Sequence, residues 1–335
     1  MKSWQTSCMD SKRRLLVLLG LTVLVLLGSV CIGPVLLSPR ELWEALLGRG
    51  SSTAGYIVRY VRIPRTLGCL LAGMALAVSG TIIQGVLSNP LAAPNIIGVN
   101  AGAGLTVALL SALVPGAVRF LPLGAFLGAF LGAMLVLGIA ERTGASKITL
   151  VLAGVAVSQI FNAGIDAVIT FVPDALNGYS DFRIGGLSNL SMGRIWPAAV
   201  LIGVGLLLAL SLSGELDVLM LGGDTAQSLG LPAKRCRIVL LAVAAALAGA
   251  AVSFAGLLGF VGLLVPHMMR RLVGEESRVL LTASALGGAL LLTLCDLLAR
   301  TLFMPYELPV GIVMSLAGGP FFIWLLLRQR RHRHD

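Results

Sequence analysis

The stretch NPLAAPNIIGVNAGAG (89–104) interrupts a very apolar chain and directly follows a long hydrophobic run. Two prolines four residues apart break a continuous helix, because proline lacks an amide donor and clashes with the preceding turn. We therefore predict that Asn89 and Pro90 end one helix and that Pro94 starts the next after a tight reversal. Gly98 and the glycines after it predict that the second helix packs closely on a neighbouring helix.

The composition is that of a membrane protein rather than a soluble domain. Of the 335 residues, 57% are hydrophobic and only 12% are charged. The apolar runs are about 20 residues long and lack strict alternation, which favours membrane-spanning helices over the strands of a barrel. We predict a single all-α transmembrane domain over 1–335 with ten membrane-spanning helices, the eighth too short for a full crossing. The predicted spans are 15–37, 66–86, 94–114, 118–140, 148–172, 194–213, 236–257, 259–269, 279–300 and 309–328.

The distribution of basic residues sets the expected orientation. Ten crossings place both termini on one side, and the chain is basic near both termini, at 12–14 and at 328–333. Cytoplasmic loops carry the excess of Lys and Arg in membrane proteins, so we expect both termini in the cytoplasm. With that topology all four lysines lie inside, and the net charge of +10 reflects orientation rather than nucleic-acid binding. We therefore expect a multi-pass membrane protein with both termini on the cytoplasmic side.

A short pattern occurs twice and predicts an inverted internal repeat. A Leu-Ala-Gly triplet is followed by glycine after seven residues and by proline after ten more, once ending at Pro90 and once at Pro266. An odd number of crossings separates the copies, so they would run in opposite directions, as in transporters whose pathway lies between repeats. We expect repeat halves at approximately 60–172 and 236–328, with a second helix break at Pro266. The predicted helix-break and pathway residues are Asn89, Pro90, Pro94, Gly98 and Pro266.

The residues exclude most enzymatic chemistry. The chain has no GxxxxGK[ST] phosphate-binding loop, and its five cysteines and three histidines show no metal-ligand spacing. No Ser/His/Asp set or carboxylate pair occupies a recognisable cleft, so we predict no enzyme, no cofactor and no metal site. Asp166 and Asp296 are the acidic residues within the spans. Asp296 lies four residues before Arg300, at salt-bridge spacing, whereas the role of Asp166 stays open.

Five long motifs follow one another along the chain. The first is RIPRTLGCLLAGMALAVSGTIIQGVLSNPLAAPNIIGVNAGAG (62–104), and the last is CDLLARTLFMPYELPVGIVMSLAGGPFFIWLLL (295–327). Between them lie VLAGVAVS (151–158), LGGDTAQSLGLP (221–232) and FVGLLVPHMMRRLVG (260–274). Together these motifs resemble those of the permeases that import iron-siderophores, haem and vitamin B12. The resemblance covers nearly the whole chain and implies the ten-helix fold of type II ATP-binding cassette (ABC) importer permeases.

The resemblance implies a transporter subunit with several partners. It implies pairing with a second copy or a paralogous permease, an ABC ATPase dimer inside, and a periplasmic or lipid-anchored substrate-binding protein outside. It also implies a cargo that is a ferric siderophore or a similar bulky metal chelate, with haem and vitamin B12 as alternatives. A secondary transporter driven by an ion gradient is the competing hypothesis, and it predicts charged residues near mid-membrane on discontinuous helices. The resemblance also implies a location in the bacterial plasma (inner) membrane. Membrane lipid is an expected partner, and nucleic acid is not.

One set of residues is expected to dock the binding protein on the outer side. Its members are Arg62, Arg65, Arg300 and Glu307. The resemblance implies that the arginines engage acidic residues of the binding protein. Arg62 and Arg65 also lie three residues apart at a helix start, where a cation opposes the helix dipole and suggests an anionic partner. Two alternatives stay open: the arginines could extend to lipid phosphates, and Glu307 could simply favour the start of the last helix.

The cytoplasmic segment 219–232 is expected to contact the ATPase. Its alternating small and apolar residues are typical of short helices that dock in a groove, and Ala226 and Leu229 are expected to share the docking face. Family members often carry an acid directly after Leu-Gly, whereas here Gly223 precedes Asp224, so the docking contacts differ in detail. The predicted coupling residues are Leu219, Leu221, Gly222, Asp224, Ala226, Leu229 and Gly230.

Overall fold

The computed structural model describes residues 2–35, 37–47, 52–114, 116–143, 147–188 and 190–331, and every regular element in these ranges is helical. A π-helical segment (Ile57–Arg62) joins α3 to α4, and short 3-10 helices occupy Pro94–Ile97 and Ala117–Arg119. The helices are α1 (Lys2–Cys31), α2 (Pro39–Leu46), α3 (Ser52–Tyr56), α4 (Ile63–Leu87), α5 (Val99–Leu113), α6 (Leu121–Arg142), α7 (Lys147–Phe171), α8 (Ala175–Ile184), α9 (Met192–Ser211), α10 (Ser213–Met220), α11 (Gly223–Ser228), α12 (Ala233–Ala255), α13 (Val261–Val273), α14 (Ser277–Thr301) and α15 (Val310–Arg331).

A helix occupies each of the ten positions that the sequence predicts for a span. Within the described ranges, seven helical segments are long and apolar enough to cross a membrane. α5 and the apolar part of α15 (Val310–Ile323) are shorter, and α13 has only 13 residues. The all-helical membrane fold is therefore confirmed, while the number of full crossings stays a prediction. The short helices α2, α8, α10 and α11 lie in the connections between these segments, whereas α3 belongs to the same long segment as α4 (Thr53–Leu87).

α4 lies at the centre of the bundle and packs against α12, α13 and α14. Small residues allow the helix backbones to touch at two crossings. A Cβ atom at Gly73 would lie 2.3 Å from the carbonyl oxygen of Gly288 on α14, and one at Gly80 would lie 1.8 Å from that of Gly262 on α13. Since no side chain fits at either crossing, close glycine contacts determine how α4 sits among its neighbours.

The predicted helix reversal after α4 is confirmed. α4 ends just before Ser88, which adopts a left-handed conformation (φ 45°). The side-chain oxygen of Asn89 accepts a hydrogen bond from the amide of Leu91 at 2.9 Å, so it satisfies one of the freed backbone groups. Pro94 opens a short 3-10 helix, and Gly98 (φ 82°) leads into α5. Proline and glycine therefore take the positions that their backbone preferences favour.

The predicted close packing of α5 is also confirmed. A Cβ atom at Gly102 would lie 2.2 Å from the carbonyl oxygen of Gly128, so the backbones of α5 and α6 touch there. Gly98 is buried against the side chain of Val136 on α6, whereas Pro90 lies exposed at the reversal. The small residues of this stretch thus bring α5 against α6 without intervening side chains.

The predicted helix break at Pro266 is wrong. Pro266 lies inside α13. The interruption between α12 and α13 comes earlier, at 256–260, where Gly256 (φ 71°) caps the end of α12. Proline removes the amide that would bond the carbonyl oxygen of Gly262, and the side chain of Gln84 donates to that oxygen at 3.4 Å instead. A side chain from α4 therefore allows α13 to continue through its proline.

The repeated sequence pattern marks different local structures in its two copies. Gly80 lies in the middle of α4, whereas Gly256 follows the end of α12. Pro90 lies in a turn and Pro266 in a helix. The inverted repeat therefore stays a prediction, because equally spaced residues have different local structures in the two copies.

The helices run between two ends of the bundle, which we name by the short helices found there. At the α8 end, the amide of Leu257 donates to the carbonyl of Phe182 at 2.9 Å. At the α11 end, Lys234 forms an ion pair with Glu141 at 3.0 Å. Here the side chain of Asp217 on α10 also accepts a hydrogen bond from the amide of Ser277, the first residue of α14, at 2.9 Å. This carboxylate satisfies one of the free amides of the helix start and favours its dipole.

Candidate functional site

A buried charge network joins α4 to α14 near the α8 end. The Nε atom of Arg65 donates to both carboxylate oxygens of Asp296, at 2.9 and 3.1 Å. The Nη1 atom of Arg65 donates to Glu307 at 2.5 Å. The side chain of Asp296 is fully buried, that of Arg65 is 5% exposed, and that of Glu307 is 30% exposed. Two carboxylates therefore hold one guanidinium, and only Glu307 reaches the surface.

Arg300 extends the network toward α1. Its Nε atom lies 3.5 Å from the carboxylate of Asp296, so the ion pair expected from their four-residue spacing is confirmed. Arg300 also donates to the backbone and hydroxyl oxygens of Ser29, at 2.9 and 2.6 Å. The hydroxyl of Ser29 in turn lies 2.8 Å from that of Thr66 on α4. Three helices thus share one hydrogen-bonded polar cluster inside an apolar bundle, as buried charges require.

Arg62 binds the end of α1 instead of joining this cluster. Its guanidinium donates to the carbonyl oxygens of Val30, Cys31 and Val35, at 3.0, 2.6 and 2.5 Å. The last carbonyls of a helix have no partner within it and carry partial negative charge, so a cation there is favourable. Arg62 ends the π-helical segment and caps α1, and it faces a different partner from Arg65.

The arginines that are expected to dock the binding protein are buried within this chain and are not exposed at its surface. Arg62, Arg65 and Arg300 are only 3%, 4% and 1% exposed, and each has partners within the chain. Their burial also excludes extension to lipid phosphates in this conformation. Sequence spacing identified the contact between Asp296 and Arg300 but could not show that Arg65 meets a carboxylate 231 residues away. A role of the four predicted residues in docking stays a prediction.

The segment expected to contact the ATPase begins in the last turn of α10 and contains the short helix α11. Leu221 and Leu229 are 64% and 65% exposed, whereas Ala226 is fully buried. The prediction that Ala226 shares an exposed face with Leu229 is therefore wrong, because α11 ends at Ser228 and the chain turns at Leu229. The remaining predicted residues are buried Leu219, half-buried Gly222 (φ 113°), exposed Asp224 and exposed Gly230 (φ 83°).

Sequence reasoning missed a polar face on α7. Gln159, Asn162, Asp166 and Thr170 are all exposed on this helix. Their spacing of three, four and four residues places them on one side, which we call the α7 polar face. The same spacing is readable in the sequence, because Gln159, Asn162 and Thr170 flank Asp166 at helical intervals.

The α7 polar face contrasts with the exposed face of α9. In both α7 and α9, only 28% of the most apolar 18-residue stretch is buried within the chain. The exposed side of α9 carries Val200, Val204 and Leu207, which suit lipid. Exposed amide and carboxylate groups on a membrane-spanning helix do not suit lipid and mark a face that lines water or protein.

A cavity of about 630 Å³ opens at the α8 end. It lies between α8, the start of α9 and the end of α12, and its volume is within the range of small-molecule sites. Polar groups on its wall include Asn177, Asp181, Arg194 and Ser253. Since α8 directly follows α7, the α7 polar face runs toward the helix that forms this wall.

Comparisons with known proteins agree with one another. Residues 21–328 match the family model described as the FecCD transport family. The chain is 38% identical to the hemin transport system permease protein HmuU of Yersinia pestis, covering 94% of this chain and 96% of that protein. It is also 38% identical to the Fe(3+)-citrate import system permease protein YfmE of Bacillus subtilis (strain 168), covering 96% and 97%.

The fold is also similar to a solved transporter structure. An inward-facing metal-chelate type ABC transporter matches with a TM-score of 0.85 and 28% sequence identity. The match covers 95% of this chain and 99% of that chain. Length, helix arrangement and sequence thus agree over nearly the whole molecule.

Proposed function

The chain belongs to the FecCD transport family, and we propose that it is the permease subunit that moves a ferric siderophore or a similar bulky metal chelate across the inner membrane. The family consists of ABC importer permeases, which are not enzymes themselves. The relatives' hemin and ferric citrate cargoes support an iron chelate as the substrate class. Haem is the second candidate, because the relative that handles hemin is 38% identical over almost the full length.

The α7 polar face is the observation that carries this proposal. In a single chain the α7 polar face is uncovered, and exposing polar groups of a membrane-spanning helix to lipid is energetically unfavourable. A second copy of the chain, or a paralogous permease, would cover this side and leave a water-lined pathway between the two α7 helices. Interfaces between transporter halves are where substrates cross.

We further propose how the two ends of the bundle meet their partners. Basic residues concentrate at the α11 end, where Arg142, Lys234 and Arg270 lie in the terminal turns of their helices and Lys12 lies within α1, which favours the cytoplasm for this end. The ABC ATPase dimer would then bind α10 and α11. The periplasmic or lipid-anchored binding protein would dock at the α8 end, near Glu307 and the cavity.

Reconstituted transport tests this proposal directly. The purified chain alone should neither hydrolyse ATP nor accumulate ferric siderophore in vesicles. With its ATPase and its binding protein, uptake should depend on ATP and continue after ionophores remove the proton and sodium gradients. Uptake that stops with the gradients and ignores ATP would establish the secondary-transporter hypothesis instead.

The exposed leucines of the coupling segment give one prediction. Leu221→Asp and Leu229→Asp should each lower transport at least several-fold, because a charge would replace apolar contact in the ATPase groove. The measurement is uptake in vesicles together with ATPase activity of the assembled complex. Leu113→Asp is the matched control, since Leu113 is 74% exposed at the opposite end of the bundle. Wild-type transport by both coupling variants would place the ATPase contact elsewhere.

Glu307 gives a second prediction, about docking of the binding protein. If Arg65 receives an acidic group of that protein, Glu307 competes for the same guanidinium. Glu307→Gln should then tighten docking by about five-fold, which corresponds to about 1 kcal/mol for a partly exposed pair. Affinity at moderate salt is the measurement, and Arg40→Gln, in an exposed pair with Glu44, is the control. Weaker docking of Glu307→Gln would show instead that Glu307 itself contacts the binding protein.

A further inference from the structure

We propose that Asp166 makes the transport pathway select against anionic chelates, so that the cargo is a neutral or positively charged metal chelate. This inference rests on the proposed function, in which the α7 polar face lines the pathway. It identifies the charge class of the substrate, which neither the fold nor the relatives determine. Relatives of similar identity handle hemin and ferric citrate, so sequence similarity alone does not separate the classes.

Asp166 is the only charged residue between positions 148 and 171, where α7 crosses the apolar layer. Its side chain is exposed, and the other members of the α7 polar face are two amides and a hydroxyl. These neutral groups can hydrogen-bond a hydrated chelate of either charge, so Asp166 alone sets the sign of the potential along this face. A second copy in a symmetric pair would add the same charge on the opposite wall.

The carboxylate of Asp166 is not neutralised by an ion pair. Among the described residues, no basic side chain lies within ion-pair distance of it. Arg183 on α8 is the basic residue whose charge could offset that of Asp166, because the charges of both residues affect the pKa of Tyr179. Burial raises the pKa of Tyr179, Arg183 lowers it, and Asp166 raises it. Arg183 is exposed at the α8 end, so it acts at the mouth of the pathway and Asp166 acts within it.

This arrangement has a direct consequence for permeation. Charge near a narrow water-filled path raises the local concentration of ions of opposite sign and excludes those of like sign. A carboxylate on each wall would therefore disfavour chelates with several negative charges, such as ferric tricatecholates. It would also disfavour haem, the second candidate cargo, because haem carries two anionic propionates. Neutral ferric trihydroxamates, and cationic ones with a free amine, would pass without this barrier.

The test measures charge selectivity at a neighbouring position, independently of the binding protein. Asn162→Cys places a thiol four residues from Asp166, about 6 Å away on the same face. It is made in a chain whose Cys8, Cys31 and Cys236 are replaced by serine, and the complex is assembled in vesicles with its ATPase. The thiol is then reacted with methanethiosulfonates of similar size, one cationic (trimethylammonium) and one anionic (sulfonate). The ratio of the two rates reports the local potential, because the reactivity of the thiol affects both rates equally.

With Asp166 present, the cationic reagent should react faster after correction for the reagents' intrinsic rates. Asp166→Asn should lower the cation-to-anion ratio by about three- to ten-fold, as expected for one charge about 6 Å away in screened water. Asp166→Glu should retain the ratio, and Arg183→Gln should raise it. Ser211→Cys is the matched control, because Ser211 is exposed at the α11 end of α9, remote from Asp166, and there Asp166→Asn should leave the ratio unchanged.

Two outcomes would overturn different parts of the argument. If Asn162→Cys reacts with neither reagent in any nucleotide state, the α7 polar face is not wet, and the proposed pathway is itself wrong. If Asn162→Cys reacts but Asp166→Asn leaves the ratio unchanged, the pathway stands and selection by Asp166 is overturned. The charge inference and the proposed function therefore fail separately.

Discussion

Asp296→Asn should destabilise the protein by about 3–5 kcal/mol, the usual cost of removing one partner from a buried ion pair. Asp296 is fully buried and balances two guanidinium groups, those of Arg65 and Arg300. The substitution keeps the shape of the side chain and removes only its charge. Both guanidinium groups then lack their buried counter-charge inside an apolar bundle, where water cannot replace it. Thermal unfolding of the purified protein in detergent or lipid nanodiscs measures the effect.

The control for this prediction is the second carboxylate of the same network. Glu307→Gln removes the other partner of Arg65, but its side chain is 30% exposed, so water can solvate the guanidinium that it leaves. We expect a destabilisation of about 1 kcal/mol or less for this partly exposed pair. Equal stability of the Asp296→Asn variant and the wild type would mean that the buried network does not hold α4 to α14. In that case Arg65 would be available to bind an acidic residue of the binding protein, as the sequence analysis predicts.

Gly80→Ala is expected to weaken folding although alanine is the better helix former. At this position a Cβ atom would lie 1.8 Å from the carbonyl oxygen of Gly262, a contact with backbone that no rotamer change relieves. The axes of α4 and α13 must separate, and overpacking of this kind costs about 1–3 kcal/mol or more. Separation also moves Gln84 from the carbonyls of α13 that it bonds. The yield of folded protein and its unfolding temperature are the measurements.

Gly138→Ala on α6 is the matched control, because it adds the same methyl group where no atom lies within 4 Å. The gain in helix propensity, about 1 kcal/mol, is the same in both variants, so their difference isolates the crossing between α4 and α13. We expect Gly138→Ala to be neutral or stabilising. A Gly80→Ala variant as stable as Gly138→Ala would show that the two helices do not approach as closely as the structure indicates.

Patterns that are local along the chain were read correctly from the sequence. Apolar runs located the ten helical segments, and Asn89, Pro94 and Gly98 marked the reversal between α4 and α5. The spacing of Asp296 and Arg300 predicted their ion pair, because residues four apart on a helix are neighbours. The prediction at Pro266 failed because a distant side chain, that of Gln84, bonds the carbonyl that the proline leaves free.

The sequence by itself determined the class of molecule and the helical segments, because lipid imposes length, apolarity and internal hydrogen bonding on every span. The tertiary structure decided which polar side chains are internal and which are available to partners. Arg65 is buried because α14 brings Asp296 to it, and Ala226 is buried because of the packing of α11. Asp166 is exposed because α5 and α6 pack on other sides of α7 and no described helix covers the α7 polar face. Burial depends on contacts between residues far apart in the chain, and no local pattern encodes those contacts.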